Sequence, residues 1–243
     1  MKATGPLPRI RVVLLRPSHP GNIGAAARAM KNMGLSQLCL VRPKRFPDPE
    51  ARAMASGALD ILESARVCAH LDEALAGTAL SVALSARPRG LSHSSIDARA
   101  AARELVAAAR RDEAAIVFGN ETIGLTNQDI MRCSRLARIP ASEAYPSLNL
   151  AQAVQVMAYE ARMAALDPAA VSATFGDAAP HEDIEQLYAH WERSLYASGF
   201  LHPRDPRKLM ARLRRLIARA GLDKTEVSIL RGMLAAWDRP RGK

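Results

Sequence analysis

The chain has 243 residues, with 34 lysines and arginines against 24 aspartates and glutamates, for a formal net charge of +10. Apolar residues make up 49% of the chain and charged residues 24%, an ordinary globular composition that excludes wholesale disorder. No run approaches the roughly 18 apolar residues of a membrane-spanning helix, so we expect no membrane partner. The length suits one large domain, or one domain with an appendage.

Short apolar runs alternate with amphipathic or alanine-rich segments through the first 166 residues. The predicted strands cover residues 10–15, 37–42, 65–68, 79–84, 114–118 and 136–139. The predicted helices between and after them cover 21–33, 49–61, 71–76, 97–110 and 149–165. Such alternation is typical of an α/β domain with a mostly parallel sheet.

The C-terminal third of the sequence has a different pattern. A stretch with two prolines and no clear period at 167–181 predicts a linker. Helical patterns follow at 182–198, 206–220 and 224–237. Lys208, Arg212 and Arg215 lie on one face of the second helix. This face is either exposed to solvent or in contact with RNA.

Positive charge is clustered in two segments. Nine basic residues precede the first acidic one, Asp48, and seven more face a single aspartate at 204–219. Clustered positive charge points to a polyanionic partner, RNA or DNA before an anionic membrane. The alternative is a solvated basic face on an enzyme that acts on small molecules.

Cysteine and histidine spacing argues against metal and disulfide sites. Cys39, Cys68 and Cys133 lie far apart without a CxxC pair, which predicts buried thiols in a reducing compartment and a cytoplasmic location. The six histidines lack metal-ligand spacing, so no metal is expected. Dinucleotide-binding, phosphate-loop, zinc-protease and serine-hydrolase motifs are also absent.

A glycine-rich turn at 16–24 follows the first predicted strand and leads into a helix. Asn22 can cap this helix, and the glycines allow another backbone or a ligand to approach closely. Arg28 and Lys31 share one side of the helix, where a guanidinium could hold a phosphate in a two-pronged grip. The alternative is an ordinary helix start followed by a surface arginine.

Two further loops also follow predicted strands. Gly119 and Gly124 flank Glu121, which fits a pocket-forming turn at the carboxyl end of a parallel strand. After the last strand, Ser147 or Asn149 can cap the long helix and leave amide donors for a ligand. Each loop alone could be a plain connection, but three in one small α/β domain predict a shared site.

These loops resemble the three motifs of the SpoU/TrmH-type ribose 2′-O-methyltransferases of the SPOUT superfamily. The similar segments are Pro20-Gly-Asn-Ile-Gly-Ala-Ala-Ala-Arg28, Phe118-Gly-Asn-Glu-Thr-Ile-Gly-Leu125, and Ile139-Pro140 with Ser147-Leu-Asn-Leu150. The resemblance covers residues 10–166. The helical extension is similar to that of the family members that modify tRNA cytidine and uridine.

The resemblance implies an α/β fold with a mostly parallel sheet and a C-terminal trefoil knot, followed by a small all-helical extension. It also implies a homodimer that takes its methyl group from S-adenosyl-L-methionine (SAM) and shares its RNA site between subunits. Arg28 matches the family's catalytic arginine. The implied cofactor-binding residues are Leu84, Ser85, Ala86, Gly119, Ile139, Pro146, Ser147, Leu148 and Asn149. The candidate RNA contacts are Asn22, Lys31, Glu121, Lys208, Arg212 and Arg215.

The predicted reaction is SAM-dependent 2′-O-methylation of cytidine or uridine at position 32 in the tRNA anticodon loop. Residues 1–166 are predicted to form the methyltransferase domain, and residues 182–243 a helical domain that contacts tRNA. The alternatives are the same chemistry at another tRNA position or on ribosomal RNA, and a non-catalytic RNA-binding protein on the same scaffold.

Overall fold

A computed structural model describes residues 5–86, 95–167, 178–202 and 209–239. Within these ranges seven strands form one parallel sheet. They are β1 (Ile10–Leu15), β2 (Gln37–Val41), β3 (Arg66–Cys68), β4 (Thr78–Leu84), β5 (Ile96–Asp97), β6 (Glu113–Phe118) and β7 (Arg135–Arg138). Their order across the sheet is β3-β2-β1-β6-β4-β7-β5. The predicted α/β class and parallel sheet are therefore confirmed.

Helices connect these strands and continue beyond them. They are α1 (Pro20–Met33), α2 (Pro49–Ala55), α3 (Leu59–Glu63), α4 (Leu71–Leu75), α5 (Ala98–Ala109), α6 (Asn127–Met131), α7 (Leu150–Leu166), α8 (His181–Ala197), α9 (Leu209–Ala220) and α10 (Lys224–Trp237). The helical C-terminal region is confirmed, and α10 has the predicted bounds. The start of the predicted helix at 206–220 and most of the predicted linker lie outside the described residues.

The structure differs from the prediction at three elements. The helix predicted at 49–61 is interrupted by a 3-10 turn at Ser56–Ala58, where Ser56 has a φ of +50° that an α-helix does not allow. The two-residue strand β5 and the five-residue helix α6 were not predicted. Both are too short to show a periodic pattern in the sequence.

The interior strand β1 packs against helices on both faces of the sheet. Its side chains alternate, so Val12 and Leu14 face one apolar cluster while Val13 and Leu15 face another. The first cluster is completed by α1, α2, α5 and α7, and the second by α4 and α6. A strand buried on both faces needs the continuous apolar run that the sequence shows at this position.

Gly24 lies where α1 crosses α2. A Cβ atom at Gly24 would lie less than 3.0 Å from the Ala51 carbonyl and the Ala55 amide, both rigid backbone groups. The glycine predicted to allow close approach of a backbone therefore does so for α2.

We expect Gly24→Ala to lower the free energy of unfolding by about 1–3 kcal/mol, the usual cost of overpacking a core. Urea unfolding followed by circular dichroism measures the change. Gly57→Ala is the matched control, because a Cβ there meets nothing within 4 Å. Equal stability of the two variants would contradict the tight α1–α2 contact.

The C-terminal helices pack together and against the amino ends of β4 and β7. Leu187, Val227 and Leu234 form a small core between α8 and α10. Glu182 accepts a 3.0 Å hydrogen bond from the backbone of Gly77, which precedes β4. Arg135, the first residue of β7, donates to a carbonyl of α9.

An ionic cluster reinforces this contact. Asp72 pairs with Arg132 and with His181 of α8, and together these hydrogen bonds lower the pKa of Asp72 to about 2. On the same side, Arg214 makes two hydrogen bonds of 2.5 and 2.8 Å to Glu185. The extension therefore contacts the sheet domain through charged groups, His181 with Asp72 at 3.3 Å and Glu185 with Arg132 at 3.9 Å, whereas Arg214 and Glu185 both belong to the extension.

The three cysteines are buried, as predicted, and form no disulfide with one another. Burial raises the pKa of Cys39 to about 11 and that of Cys133 to about 12. These thiols are therefore protonated at neutral pH. Within the described ranges, no helix has the length and apolar character needed to cross a membrane.

Candidate active site

The carboxyl ends of β4, β6 and β7 border a cavity of about 310 Å³. Its volume is at the lower end of the range typical of small-molecule sites. The predicted cofactor residues that line it are Leu84, Ser85, Ala86, Gly119, Ile139, Pro146, Ser147 and Leu148. The sequence motifs contain the further lining residues Phe118, Asn120, Thr122, Leu125 and Leu150 without an assignment to the cofactor, and Ala153 lies outside the motifs.

The loop after β6 folds back tightly on itself. A Cβ at Gly119 would lie less than 3.0 Å from the backbone of Gly124 and Leu125. Gly124 has a φ of +67°, a conformation that favours glycine. The two glycines identified in the sequence are therefore required for the shape of this loop.

Glu121 joins this loop to the loop that follows β1. Its carboxylate accepts hydrogen bonds from the Ser18 backbone at 2.9 Å, the Ser18 hydroxyl at 2.7 Å and the His19 backbone at 3.2 Å. The Asn22 side chain donates a fourth bond of 3.0 Å. Glu121 thereby fixes the first turn of α1, which leads to Arg28.

These hydrogen bonds keep Glu121 ionised. Burial alone would raise the pKa of this carboxyl, but donation from Asn22 and Ser18 outweighs it and lowers the pKa to about 2. At neutral pH Glu121 is therefore an acceptor with a fixed negative charge. Such a group suits a structural role better than proton transfer.

Asn149 connects the third loop to the same network. Its side-chain oxygen caps α7 by accepting from the backbone of Ala151 and Gln152. Its amide donates to the Asn22 side-chain oxygen at 2.9 Å. Asn149 does not line the cavity. The three loops predicted to form a shared site are therefore joined by hydrogen bonds through Asn22, Glu121 and Asn149.

Asn120 makes a second connection that the sequence analysis missed. Its amide donates to the Arg16 carbonyl at 2.8 Å, and its side-chain oxygen accepts from the Thr122 and Ile123 backbone at 2.9 and 3.1 Å. An asparagine just after a strand often closes a turn in this way, which was the available signal.

Arg28 and Lys31 differ in their environment. The Arg28 side chain is exposed on α1 and makes no hydrogen bond or ion pair with a described residue. Lys31 is bound to the Asp60 carboxylate and the Gly57 carbonyl, both at 2.8 Å. Of these two cations on α1, Arg28 has the side chain left available for a ligand.

The candidate RNA contacts of the extension lie away from the cavity. Arg212 is exposed and Arg215 half-buried on α9, and neither forms an ion pair with a described residue. Lys208 lies outside the described residues. Because α9 packs near the start of β7, these arginines are at the sheet edge opposite to the cavity.

The cavity suits a small molecule with apolar and hydrogen-bonding groups, and Arg28 does not line it. Leu84, Ile139 and Leu148 offer apolar walls, while the loop backbones offer polar groups. The free guanidinium of Arg28 can bind a phosphate with two parallel hydrogen bonds. Among the residues that the structure describes, no group of three or more histidine, cysteine or acidic side chains could hold a metal ion.

Comparison with known proteins gives family matches on both parts of the chain. Residues 9–159 match the SpoU rRNA methylase family, and residues 182–243 match the C-terminal domain of the tRNA methyltransferase TrmJ. A curated relative, tRNA (cytidine/uridine/adenosine-2′-O-)-methyltransferase TrmJ of Pseudomonas aeruginosa, is 48% identical over 94% of this chain and 93% of its own. Another, tRNA (cytidine/uridine-2′-O-)-methyltransferase TrmJ of Klebsiella pneumoniae, is 46% identical over 96% and 98%.

Solved structures agree with these matches. TrmJ from Z. mobilis superposes with a TM-score of 0.83 at 32% identity, covering 98% of this chain and all of that one. A more distant structure is the SpoU methyltransferase AviRb from Streptomyces viridochromogenes in complex with the cofactor AdoMet. It has a TM-score of 0.51 at 26% identity, covering 63% of this chain and 58% of that one.

Proposed function

The chain belongs to the SpoU rRNA methylase family, and from that premise we propose which nucleotide it modifies and which residues do so. It is a SAM-dependent tRNA (cytidine/uridine-2′-O-)-methyltransferase. The proposed target is position 32, at the start of the anticodon loop. The observation that best supports tRNA as the substrate is near-full-length similarity to tRNA methyltransferases, including the helical extension.

The proposed SAM site is the cavity at the carboxyl ends of β4, β6 and β7. Its apolar walls fit an adenosine, and its loop backbones can satisfy the polar groups of a nucleoside. SAM supplies an electrophilic methyl group on a positively charged sulfur. Asn149 is proposed to position the cavity loops rather than to contact SAM, because it caps α7 and donates a hydrogen bond to Asn22 but does not line the cavity.

Arg28 is proposed to clamp the phosphate next to the target ribose. A 2′-hydroxyl is a poor nucleophile until it loses its proton. An arginine is already protonated at neutral pH, so it cannot accept that proton. A guanidinium bound to the phosphate can orient the hydroxyl and stabilise the developing negative charge. The proton is left to that phosphate or to water.

The proposed assembly is a homodimer with an RNA site shared between subunits. On α7, Tyr159, Met163 and Leu166 are 49%, 44% and 63% exposed and lie at spacings of four and three residues. Such a stripe of exposed apolar side chains is typical of a helix that packs against a partner. The proposed trefoil knot would bring the loops that contain Gly119 and Ser147 to the same cavity.

The proposed domain division places the methyltransferase at 1–166, a linker at 167–181 and a tRNA-contacting helical domain at 182–243. Lys208, Arg212 and Arg215 are proposed to contact tRNA phosphates. The proposed location is the cytoplasm, supported by three buried cysteines that form no disulfide and by a tRNA substrate.

We expect Arg212→Ala/Arg215→Ala to weaken tRNA binding and to reduce the slope of log affinity against log salt by about 1 to 2, one unit per lost phosphate contact. Filter binding between about 50 and 200 mM salt measures this slope. Arg214→Ala is the control, because Arg214 is bound to Glu185 and should affect stability instead. An unchanged slope in the double variant would rule out these phosphate contacts.

The proposed target is tested by nucleoside mass spectrometry on unmodified tRNA transcripts incubated with SAM and the purified protein. We expect 2′-O-methylcytidine or 2′-O-methyluridine at position 32, and adenosine at that position is included because one relative's name mentions it. Methylation elsewhere would transfer the activity to another site. SAM binding without methylation of any tRNA would favour ribosomal RNA, and no SAM binding would favour a non-catalytic RNA-binding protein.

A further inference from the structure

Tyr145 lies at the edge of the proposed cofactor cavity. Its side chain is 80% exposed, and it directly precedes Pro146 and Ser147, which line the cavity. Two residues of extended chain span about 7 Å, so Tyr145 is within that distance of the Ser147 backbone. Single exposed apolar residues are common on proteins. The position of Tyr145, rather than its exposure, distinguishes it.

The backbone that carries Tyr145 is fixed. Its amide donates a 3.2 Å hydrogen bond to the Ser142 carbonyl, which closes a turn. The following proline restricts the Tyr145 backbone to extended conformations. Four residues further on, Asn149 joins the loop to α7 and to α1. An exposed ring on such a backbone can bind a ligand without the cost of ordering a loop.

Its position next to the cavity lining distinguishes Tyr145 from the other exposed aromatic residues that the structure describes. Tyr159 lies on α7, and Tyr196, Phe200 and Trp237 lie in the C-terminal extension. None of these lines the cavity or neighbours a residue that does. A second exposed apolar side chain, Ile123, comes from the other loop of the mouth, between Thr122 and Gly124.

The chemistry of the reaction specifies what must lie at this mouth. The base of a nucleotide is joined to C1′, which is bonded to C2′, the carbon that carries the reacting oxygen. When that oxygen reaches the cavity, the base is only three bonds away and must lie at the rim. Bases of single-stranded loops are commonly bound by stacking on aromatic side chains.

We propose that Tyr145 is the platform on which the base of the target nucleotide stacks, an inference that rests on the proposed function. Tyr145 is thus a positioning residue, which holds the base so that its ribose presents the 2′-hydroxyl to the cavity. Stacking on a ring tolerates any base of suitable size, because every base has a π-face. A stacking platform therefore accounts for acceptance of both cytidine and uridine without separate hydrogen-bond donors and acceptors.

The test is a double-mutant cycle between the ring and the base. The protein is wild type or Tyr145→Ala, and the tRNA carries either cytidine or a stable abasic ribonucleotide with its 2′-hydroxyl at the target position. We expect Tyr145→Ala to weaken binding of the intact tRNA about 10- to 100-fold, the usual effect of losing one base–aromatic stack. Binding of the abasic tRNA should be the same for both proteins.

Further variants separate stacking from a structural role. Tyr145→Phe and Tyr145→Trp keep a flat ring and should restore binding and KM for tRNA, whereas Tyr145→Ala should raise KM with SAM affinity unchanged. Phe200 on the extension is 73% exposed, and the control variant Phe200→Ala should show no coupling to the base. An equal loss with intact and abasic tRNA, or no loss at all, would overturn the proposal.

Failure of the proposed function would give a different result. If the wild-type protein does not methylate position 32, the same cycle is applied at whichever nucleotide mass spectrometry identifies. Coupling there would support Tyr145 as the platform although the proposed position is wrong. Methylation of position 32 without coupling would overturn the role of Tyr145 and leave the proposed function intact.

Discussion

Replacing Arg28 with alanine is expected to lower the rate constant for methyl transfer by about 100- to 1,000-fold, the usual effect of removing one preorganised group that stabilises developing charge. The folded protein and its SAM affinity should be unaffected. The Arg28 side chain is exposed and has no hydrogen-bond or ion-pair partner among the described residues, so its loss leaves no buried partner unsatisfied. Single-turnover methylation of tRNA, with SAM binding measured by calorimetry, separates these quantities.

The lysine variant at the same position distinguishes a planar fork from a simple positive charge. Arg28→Lys keeps the charge but cannot make two parallel bonds to a phosphate, so a substantial loss of rate should remain. Arg52→Ala is the matched control, because Arg52 is an exposed helical arginine in an ion pair with Glu63. Near-full activity of Arg28→Lys would rule out the two-pronged grip.

Replacing Glu121 with glutamine is expected to lower methylation by about 100-fold, although Glu121 is not proposed to touch the reacting atoms. The carboxylate accepts four hydrogen bonds from the loop before Arg28. A glutamine has only one acceptor oxygen, and its amide would face donors on the other side. Small displacements of a positioned group can cost this much in rate. Steady-state kinetics should show the loss in kcat.

Glu121→Gln should also change the dependence of stability on pH. The pKa of Glu121 is lowered from 4.5 to about 2 in the folded protein, so its contribution is fully present above about pH 4.5 and is lost towards pH 2. Urea unfolding between these values should show a shallower decline for the variant. Glu192→Gln, an exposed change on α8, should follow the wild type. Identical curves for Glu121→Gln and wild type would contradict the proposed network.

Local pattern was sufficient for the individual elements but not for their arrangement. The buried run of β1 and the amphipathic period of α10 each predict their own bounds, because the signal lies within one segment. The order of the strands depends on pairing between distant segments, and β1 lies between β2 and β6. No single segment carries that information. The break at Ser56 coincides with Gly57, a residue of low helix propensity, so a local signal for this break was present in the sequence.

The site was predicted as a set of loops more fully than as a set of contacts. Parallel strands bring their carboxyl ends to one edge, so three loops after strands were expected to meet. The sequence could not show that Glu121 faces Ser18 and Asn22, because these residues are separated by about a hundred positions. Nor could it show that Lys31 is bound to Asp60 while Arg28 is not. Pairing between charged side chains depends on the three-dimensional arrangement.

The position of the C-terminal helices sets a minimum footprint for the RNA. They pack at the start of β4, whereas the cavity lies at its end, and seven strand residues separate the two by about 20 Å. An A-form RNA helix that touches both ends of one subunit must therefore span about 20 Å, which takes several stacked base pairs. For an RNA bound as proposed, by α9 and by the cavity of one subunit, helical length next to the modified loop is therefore part of substrate selection.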